Sequence, residues 1–314
     1  MTAEADQLTL ELKTRYPMLQ YFTDRTFGVE IEFFGLQYVS IPTNNGIIKP
    51  YNISSRAKDG RHLLDLIKDN KIHIGDDMES WHFEKDGSVR GKFHTKCGAE
   101  LTSPIMSGIA DLAQVYQMFQ LLCDIEGIDI DGSCGLHVHH GVDPEKYKCT
   151  HLQQLVRIVH PFEKQFYLLI PGDRQNAETC RPMEIDVEAF LDICDGDAES
   201  GGCESEIKDL WYSAENRCEE KAGNYTRFDK TRYHGLNLHS YWYRSTIEFR
   251  YHSAILHNID EAMQWIIFSQ FLVELSQGNA PNIYHSSEAN KWIRTIYDIY
   301  KDLGYESQIK TVAN

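Results

Sequence analysis

The sequence predicts an α+β fold, and three observations lead there. Several short segments alternate hydrocarbon with charged or imidazole side chains, the period-2 pattern of a half-buried strand. Those segments fall early and late in the chain, with helical patterns between them. Regular strand–helix alternation is absent from the pattern, which disfavours a doubly wound parallel sheet.

The clearest strand is Phe27-Gly28-Val29-Glu30-Ile31-Glu32-Phe33-Phe34. Successive strand side chains point to opposite faces, so Val29, Ile31 and Phe33 pack into a core while Glu30 and Glu32 stand together on the other face. Adjacent carboxylates repel unless a cation screens them, and a divalent cation with its preference for oxygen ligands suits that place. A solvated acidic face satisfies the same alternation. The pattern recurs, however, in Glu84 and Asp86, in Glu100 ahead of Pro104, and in Leu136-His137-Val138-His139 after a Gly-Ser turn. It recurs again in Leu236-Asn237-Leu238-His239 and in Ile247-Glu248-Phe249-Arg250. An ordinary wet face carries Lys, Thr and Ser; this one carries carboxylate, imidazole, amide and guanidinium.

Between the strands the helices follow from apolar spacing. The sequence predicts a loop over 36–51, a helix over 54–70, and a longer one over 107–126 that Gly127 ends. Arg90-Gly91-Lys92 reads as a hairpin tip. A helix from Thr150, its hydroxyl a candidate cap, runs to Leu169 with Pro161 bending or dividing it. The following turn is expected to expose Arg174. Segment 184–220 is acid-rich and reads as solvated surface, with a mobile lid or a calcium site as alternatives. Asn258 or Asp260 caps a helix over 261–277 that Gly278 ends, and a last amphipathic helix is expected over 287–303.

Composition narrows the function. A formal charge of −16 disfavours an extended nucleic-acid surface, which needs a basic face. No stretch approaches the roughly 18 apolar residues of a membrane span, and the acids near the start do not suit a secretory signal. The expectation is a soluble cytoplasmic protein without a membrane partner, its eight scattered cysteines free thiols. No Walker loop is present.

In this order, Phe27-Gly28-Val29-Glu30-Ile31-Glu32-Phe33, Asp86-Gly87-Ser88, Glu100 with Ser103-Pro104, Cys134-Gly135-Leu136-His137-Val138-His139, Leu236-Asn237 and Thr246-Ile247-Glu248-Phe249-Arg250 resemble the amidoligase family. That family is grouped with the glutamine synthetase and glutamate–cysteine ligase superfamily of carboxylate–amine ligases, and its members occur in phages, bacteria and fungi. For a phage-encoded chain the cytoplasm would be the host's. The resemblance implies a catalytic domain over 27–280 preceded by an extension over 1–26 and followed by a helical tail over 281–314. It implies a curved antiparallel sheet whose concave face holds ATP and Mg²⁺ or Mn²⁺, with helices on the convex side. It also implies acyl-phosphate chemistry that joins a small-molecule or peptide carboxylate to an amine.

Carried over residue by residue, Glu30, Glu32 and Glu100 hold metal, and Glu248 completes a metal site with a histidine, His137 in preference to His139. His140 should point the other way. Arg250 faces the phosphates, and Arg244 or Arg174 binds substrate or phosphate. Asp86 and Ser88 line the nucleotide or metal pocket, and Asn237 holds the substrate carboxylate. Two other readings remain open from the residues alone: a metal-dependent hydrolase built on His137, His139 and an acid, and a noncatalytic binding protein on the same sheet.

Overall fold

The computed structural model describes residues 3–39, 46–89, 98–169, 174, 177–193, 202–213, 229–256 and 258–278. In chain order its strands are β1 (Thr26–Phe34), β2 (Ile47–Ile48), β3 (His82–Lys85), β4 (Gly98–Thr102), β5 (Met106–Ser107), β6 (Leu136–Gly141), β7 (Leu236–Asn237) and β8 (Thr246–Phe249). Its helices are α1 (Ala3–Arg15), α2 (Leu63–Asp69), α3 (Gly108–Asp124), α4 (Cys149–Leu169), α5 (Val187–Asp192), α6 (Gly202–Ser213), α7 (His239–Arg244) and α8 (Ile259–Ser276). The strands form one open antiparallel sheet in the order β2-β3-β4-β1-β6-β8-β7, with β5 paired to the start of β1. This is the mixed helix-and-sheet architecture that the alternation predicts.

Alternation decides which face is core. Val29, Ile31 and Phe33 of β1, Phe83 of β3, Leu101 of β4, Val138 of β6 and Phe249 of β8 are all buried. Helix α8 lies against that apolar face: the rings of Phe249 and Trp265 meet edge to face, and His140 shares a hydrogen bond with Ser269 at 2.7 Å. His140 therefore points away from His137 and His139, as the period-2 pattern requires. Helix α8 is buried nearly all round, and Asn258 caps it by accepting from the Glu261 amide.

The segment expected to be an extension packs into the same core. Helix α1 packs on α3, Tyr16 donates to Asp260 at 2.5 Å, and Arg25 donates to Glu274 of α8, to Gln277 and to the Gly141 carbonyl.

Several local expectations change. The helix predicted over 54–70 begins only at Leu63, because residues 57–61 close a tight turn on Gly60 at φ 86°. Pro161 does not divide α4; it lies on the exposed side, where water can meet the carbonyl that loses its partner. That helix starts at Cys149, and His151 rather than Thr150 answers an amide there, that of Lys148. The strand expected through His239 stops at Asn237, since Leu238 already has helical angles and α7 follows.

The acid-rich segment is not merely solvated where it is described. Asp186 caps α5, and Phe190, Ile207 and Trp211 are fully buried. Cys123, Cys134, Cys149 and Cys180 are free, but Cys203 is disulfide-bonded, a pairing that scattered spacing could not signal. The Arg90-Gly91-Lys92 tip, the Asp195-Gly196-Asp197 stretch and the last helix lie outside the described residues. Among the described residues no helix is long and apolar enough to cross a membrane.

The Arg25 clasp gives a stability prediction. Arg25→Ala would strand the nearly buried Glu274 carboxylate and should destabilise the protein by about 3–5 kcal/mol in urea unfolding. Arg25→Met with Glu274→Gln should recover at least half of that loss; no recovery would mean that the charge pair is not what anchors the segment.

Candidate active site

Antiparallel register assembles the polar face. Glu100 of β4 lies opposite Glu32 of β1 on one side and Glu84 of β3 on the other. Glu30 lies opposite His137, and Glu248 lies opposite both His139 and Asn237. Directly opposed side chains sit about 4.5–5.5 Å apart at Cβ, and like charges so placed destabilise a sheet. Six strands thus deliver five carboxylates, two imidazoles and one amide to one patch.

Their ligand atoms converge in three overlapping groups: Glu30 with Glu100 and His137, Glu30 with His139 and Glu248, and Glu32 with Asp86 and Glu100. Within each, the atoms lie within 4.8 Å of one another. His137 Nε2 and His139 Nε2 are buried without a hydrogen bond, 3.7 Å from Glu32 Oε1 and 3.4 Å from Glu30 Oε1. Buried polar atoms are normally satisfied, and a carboxylate-rich set with one imidazole suits Mg²⁺ or Mn²⁺. The residues present therefore fit divalent cations. The geometry groups Glu248 with His139, whereas the sequence reading preferred His137; register places His139, not His137, across from Glu248.

A second layer of hydrogen bonds holds these ligands. Thr246 Oγ1 donates to Ser240 Oγ, which donates to Glu248 Oε2. That direction leaves Thr246 to accept from His139 Nδ1, so His139 presents its Nε2 to Glu30 and Glu248. Asn237 Nδ2 donates to Glu248 Oε2 at 2.6 Å. Asn237 thereby orients Glu248 with one of its two Nδ2 hydrogens, and it also lines the cleft. Across the site the Gly135 amide donates to Glu32 Oε2. Only glycine fits there: a Cβ would lie 2.5 Å from both Arg174 Nη2 and His137 Nε2.

Electrostatics follow the crowding. Burial raises Glu30, but His139 and His137 outweigh it and hold the carboxyl well below its usual range. Burial likewise works against Glu248, yet His139 and Arg250 bring it to about 2. For Glu100 the strongest influences all act the other way: burial and then the like charges of Glu30 and Glu32 push it well above the carboxylate range. Glu32 is raised by burial, with His137 and Arg174 offsetting part of the rise.

The patch floors a cleft of about 310 Å³ that Lys85, Arg232, Arg244 and Arg250 also line, with the rings of Tyr233 and Tyr243. Asp86 and the exposed Ser88 lie in it, and Asp86 accepts from both the amide and the hydroxyl of Ser88. Arg250 donates to Glu248 Oε1 at 2.5 Å. Arg244 stands half-exposed at the rim, 3.7 Å from Glu30. Arg174 is not exposed by its turn: it is fully buried behind the site, donating to the Arg250 carbonyl, and so supports Arg250 instead of meeting a ligand. Sequence reasoning missed Ser240, Arg232, Lys85 and Tyr243. Of these only Ser240 had a signal, since it lies one turn of chain past Asn237.

Glu100 sets a pH signature. Its folded-state affinity for a proton exceeds that of the unfolded chain, so its contribution to stability falls as pH rises from the ordinary glutamate range through the raised one. In the presence of a chelator, Glu100→Gln should raise the thermal midpoint at pH 8, by roughly 2–4 °C for each kcal/mol relieved, and leave it unchanged at pH 4. It should also weaken Mn²⁺ binding at least tenfold by calorimetry. A lower midpoint at pH 8 would show that the carboxylate is not strained.

A search of curated proteins finds no match to this sequence. A protein-family comparison does: the family described as "putative amidoligase enzyme" matches residues 23–273, a span that begins just ahead of β1, ends within α8 and contains every ligand group above. The chain belongs to the amidoligase family.

Proposed function

We propose that this amidoligase is an ATP-dependent carboxylate–amine ligase that works through an acyl phosphate, on a sheet related to that of glutamine synthetase. The observation that carries the reading is the set of three ligand groups interlocked through Glu30 and Glu100, set beside the cations of Lys85, Arg232 and Arg250 in one cleft. Phosphoryl transfer asks a protein for charge neutralisation and alignment more than for covalent help. When bound, Mg²⁺ or Mn²⁺ would supply that neutralisation between phosphate oxygens and the substrate carboxylate. Glu30, Glu32, Asp86, Glu100, His137, His139 and Glu248 are the residues that would hold the ions.

The chain's own side chains account for the rest. Arg250, fixed by Glu248 and by the Thr179 carbonyl, aims a guanidinium at the cleft with little freedom left to lose. Arg232 and Lys85 add positive charge where a nucleotide's phosphates would lie. Asn237 and Ser240 keep Glu248 oriented. A hydrolase built on a single His–His–acid centre is less well supported, because among the described residues His137 and His139 fall in different ligand groups.

Phosphorus NMR of ATP with Mg²⁺ or Mn²⁺ tests the reading directly. ADP and phosphate should accumulate only when pools of both carboxylates and amines are present; no nucleotide binding with either metal would overturn it. Glu32→Gln and Glu248→Gln should each lower ATP turnover roughly 100-fold or more while the circular dichroism spectrum stays native. Full activity in either variant would remove that residue from the proposed machinery.

A further inference from the structure

A second cavity, about 780 Å³ in volume, meets the first at Glu30, Glu84, Glu100 and Arg244 and opens on the other side of them. Beyond Glu30, Glu100, His139 and Thr246, the proposed ligase chemistry places no group in it. Its walls differ in kind. Met78 and Ile105, 78% and 70% exposed, stand in it and form a hydrocarbon surface open to solvent, and the half-buried Pro104 and buried Val142 also line it. Its charged residues outside the ligand groups are Glu84 and Asp143, with His82 and the shared Arg244. The first cleft has Lys85, Arg232 and Arg250, and none of these reaches the second cavity.

From this division of charge and surface we infer that the second cavity is the entry site for the amine, taken as a primary ammonium carried on a hydrocarbon chain. The inference rests on the ligase reading for its chemistry, while the cavity rests on its own lining. Charge sorts the reactants: anionic phosphates go to the arginine side, and a cation goes to the side that lacks Lys85, Arg232 and Arg250 and adds Asp143 to the shared Glu30, Glu84 and Glu100, with Met78 and Ile105 in its lining. Size sorts them too. Ammonia is close in size to a water molecule, whose share of liquid volume is about 30 Å³, whereas this volume lies in the range of roughly 300–1,000 Å³ typical of sites for whole organic ligands. An alkyl or lysine-like chain covers the apolar wall and brings its nitrogen to the shared carboxylate floor, opposite the phosphates.

The step balances with no further reactant. The nitrogen lone pair forms the C–N bond to the acyl carbon, the C–O bond to phosphate breaks, and its electron pair leaves with the phosphate. Of the three ammonium protons, one stays on the amide, one goes to the departing phosphate and one to solvent.

The test has a binding arm and a turnover arm. In calorimetry with Mg²⁺-loaded protein, n-hexylammonium should bind saturably and at least tenfold more tightly than hexanoate or methylammonium. Ile105→Lys and Met78→Lys, at exposed positions the fold does not depend on, should each weaken n-hexylammonium tenfold or more and leave Mn²⁺ binding unchanged. Equal affinity for hexanoate, or no response to either lysine variant, overturns the inference. In the turnover arm, hydroxylamine serves as a small amine that needs no chamber. Phosphate release from ATP and a carboxylate pool should persist with hydroxylamine in both lysine variants while the hexylamine-supported kcat/KM falls at least tenfold. If no amine supports phosphate release from the unaltered protein, the ligase reading fails, and the binding arm still decides the fate of the cavity.

Discussion

Like-charge crowding on one face of the sheet is the constraint from which the rest of this structure follows. Cross-strand register sets Glu100 against both Glu32 and Glu84, and Glu30 against a histidine, with Glu32 buried and the other three half-buried, which reduces the screening that water gives. A sheet so charged could not hold together on that face by its own contacts. Its cohesion comes from the other side, where Phe33, Phe83, Leu101, Val138 and Phe249 meet helices packed around α8. The apolar face thus supports a polar face that by itself favours separation, a common arrangement where function asks for strain.

The polar patch is also held in detail. Glu248 receives Asn237, Ser240 and Arg250 at once, and Glu32 receives a backbone amide from Gly135. Such partners fix rotamers ahead of any ligand, so ordering entropy is lost during folding instead of at each binding event. Glu100 is the exception, having no cationic partner among its strongest neighbours. It is therefore the carboxylate of the patch on which burial and like charge weigh most.

Much of this was legible in the sequence because it depended on periodicity. The Glu30/Glu32 face and the opposite orientation of His140 follow from a spacing of two residues, and the α8 cap was narrowed to Asn258 or Asp260. What was not legible depended on register and on single dihedral angles. Which histidine joins Glu248 is a matter of how β6 slides against β8, and sequence spacing does not specify that. The early end of β7 turns on the helical angles of Leu238, and the α7 that follows brings Ser240 to Glu248 beside Asn237. Arg174 followed a turn signal and was expected at the surface; it is buried beneath Arg250, since a glycine at 135 leaves room for its guanidinium.

The clasp between Arg25 and Glu274 bears on how the chain is made. Its two ends lie 249 residues apart, and β1, which begins one residue after Arg25, is the middle strand of the sheet. At ~5–20 residues per second of synthesis, roughly 12–50 s separate the emergence of the two partners. During that interval β1 exposes Val29, Ile31 and Phe33 with no α8 to cover them, and contacts of such long range also slow folding. The acidic residues that burden the finished sheet then have an opposite value: alternating with those apolar side chains, Glu30 and Glu32 keep the nascent strand from pairing with its copies on neighbouring ribosomes.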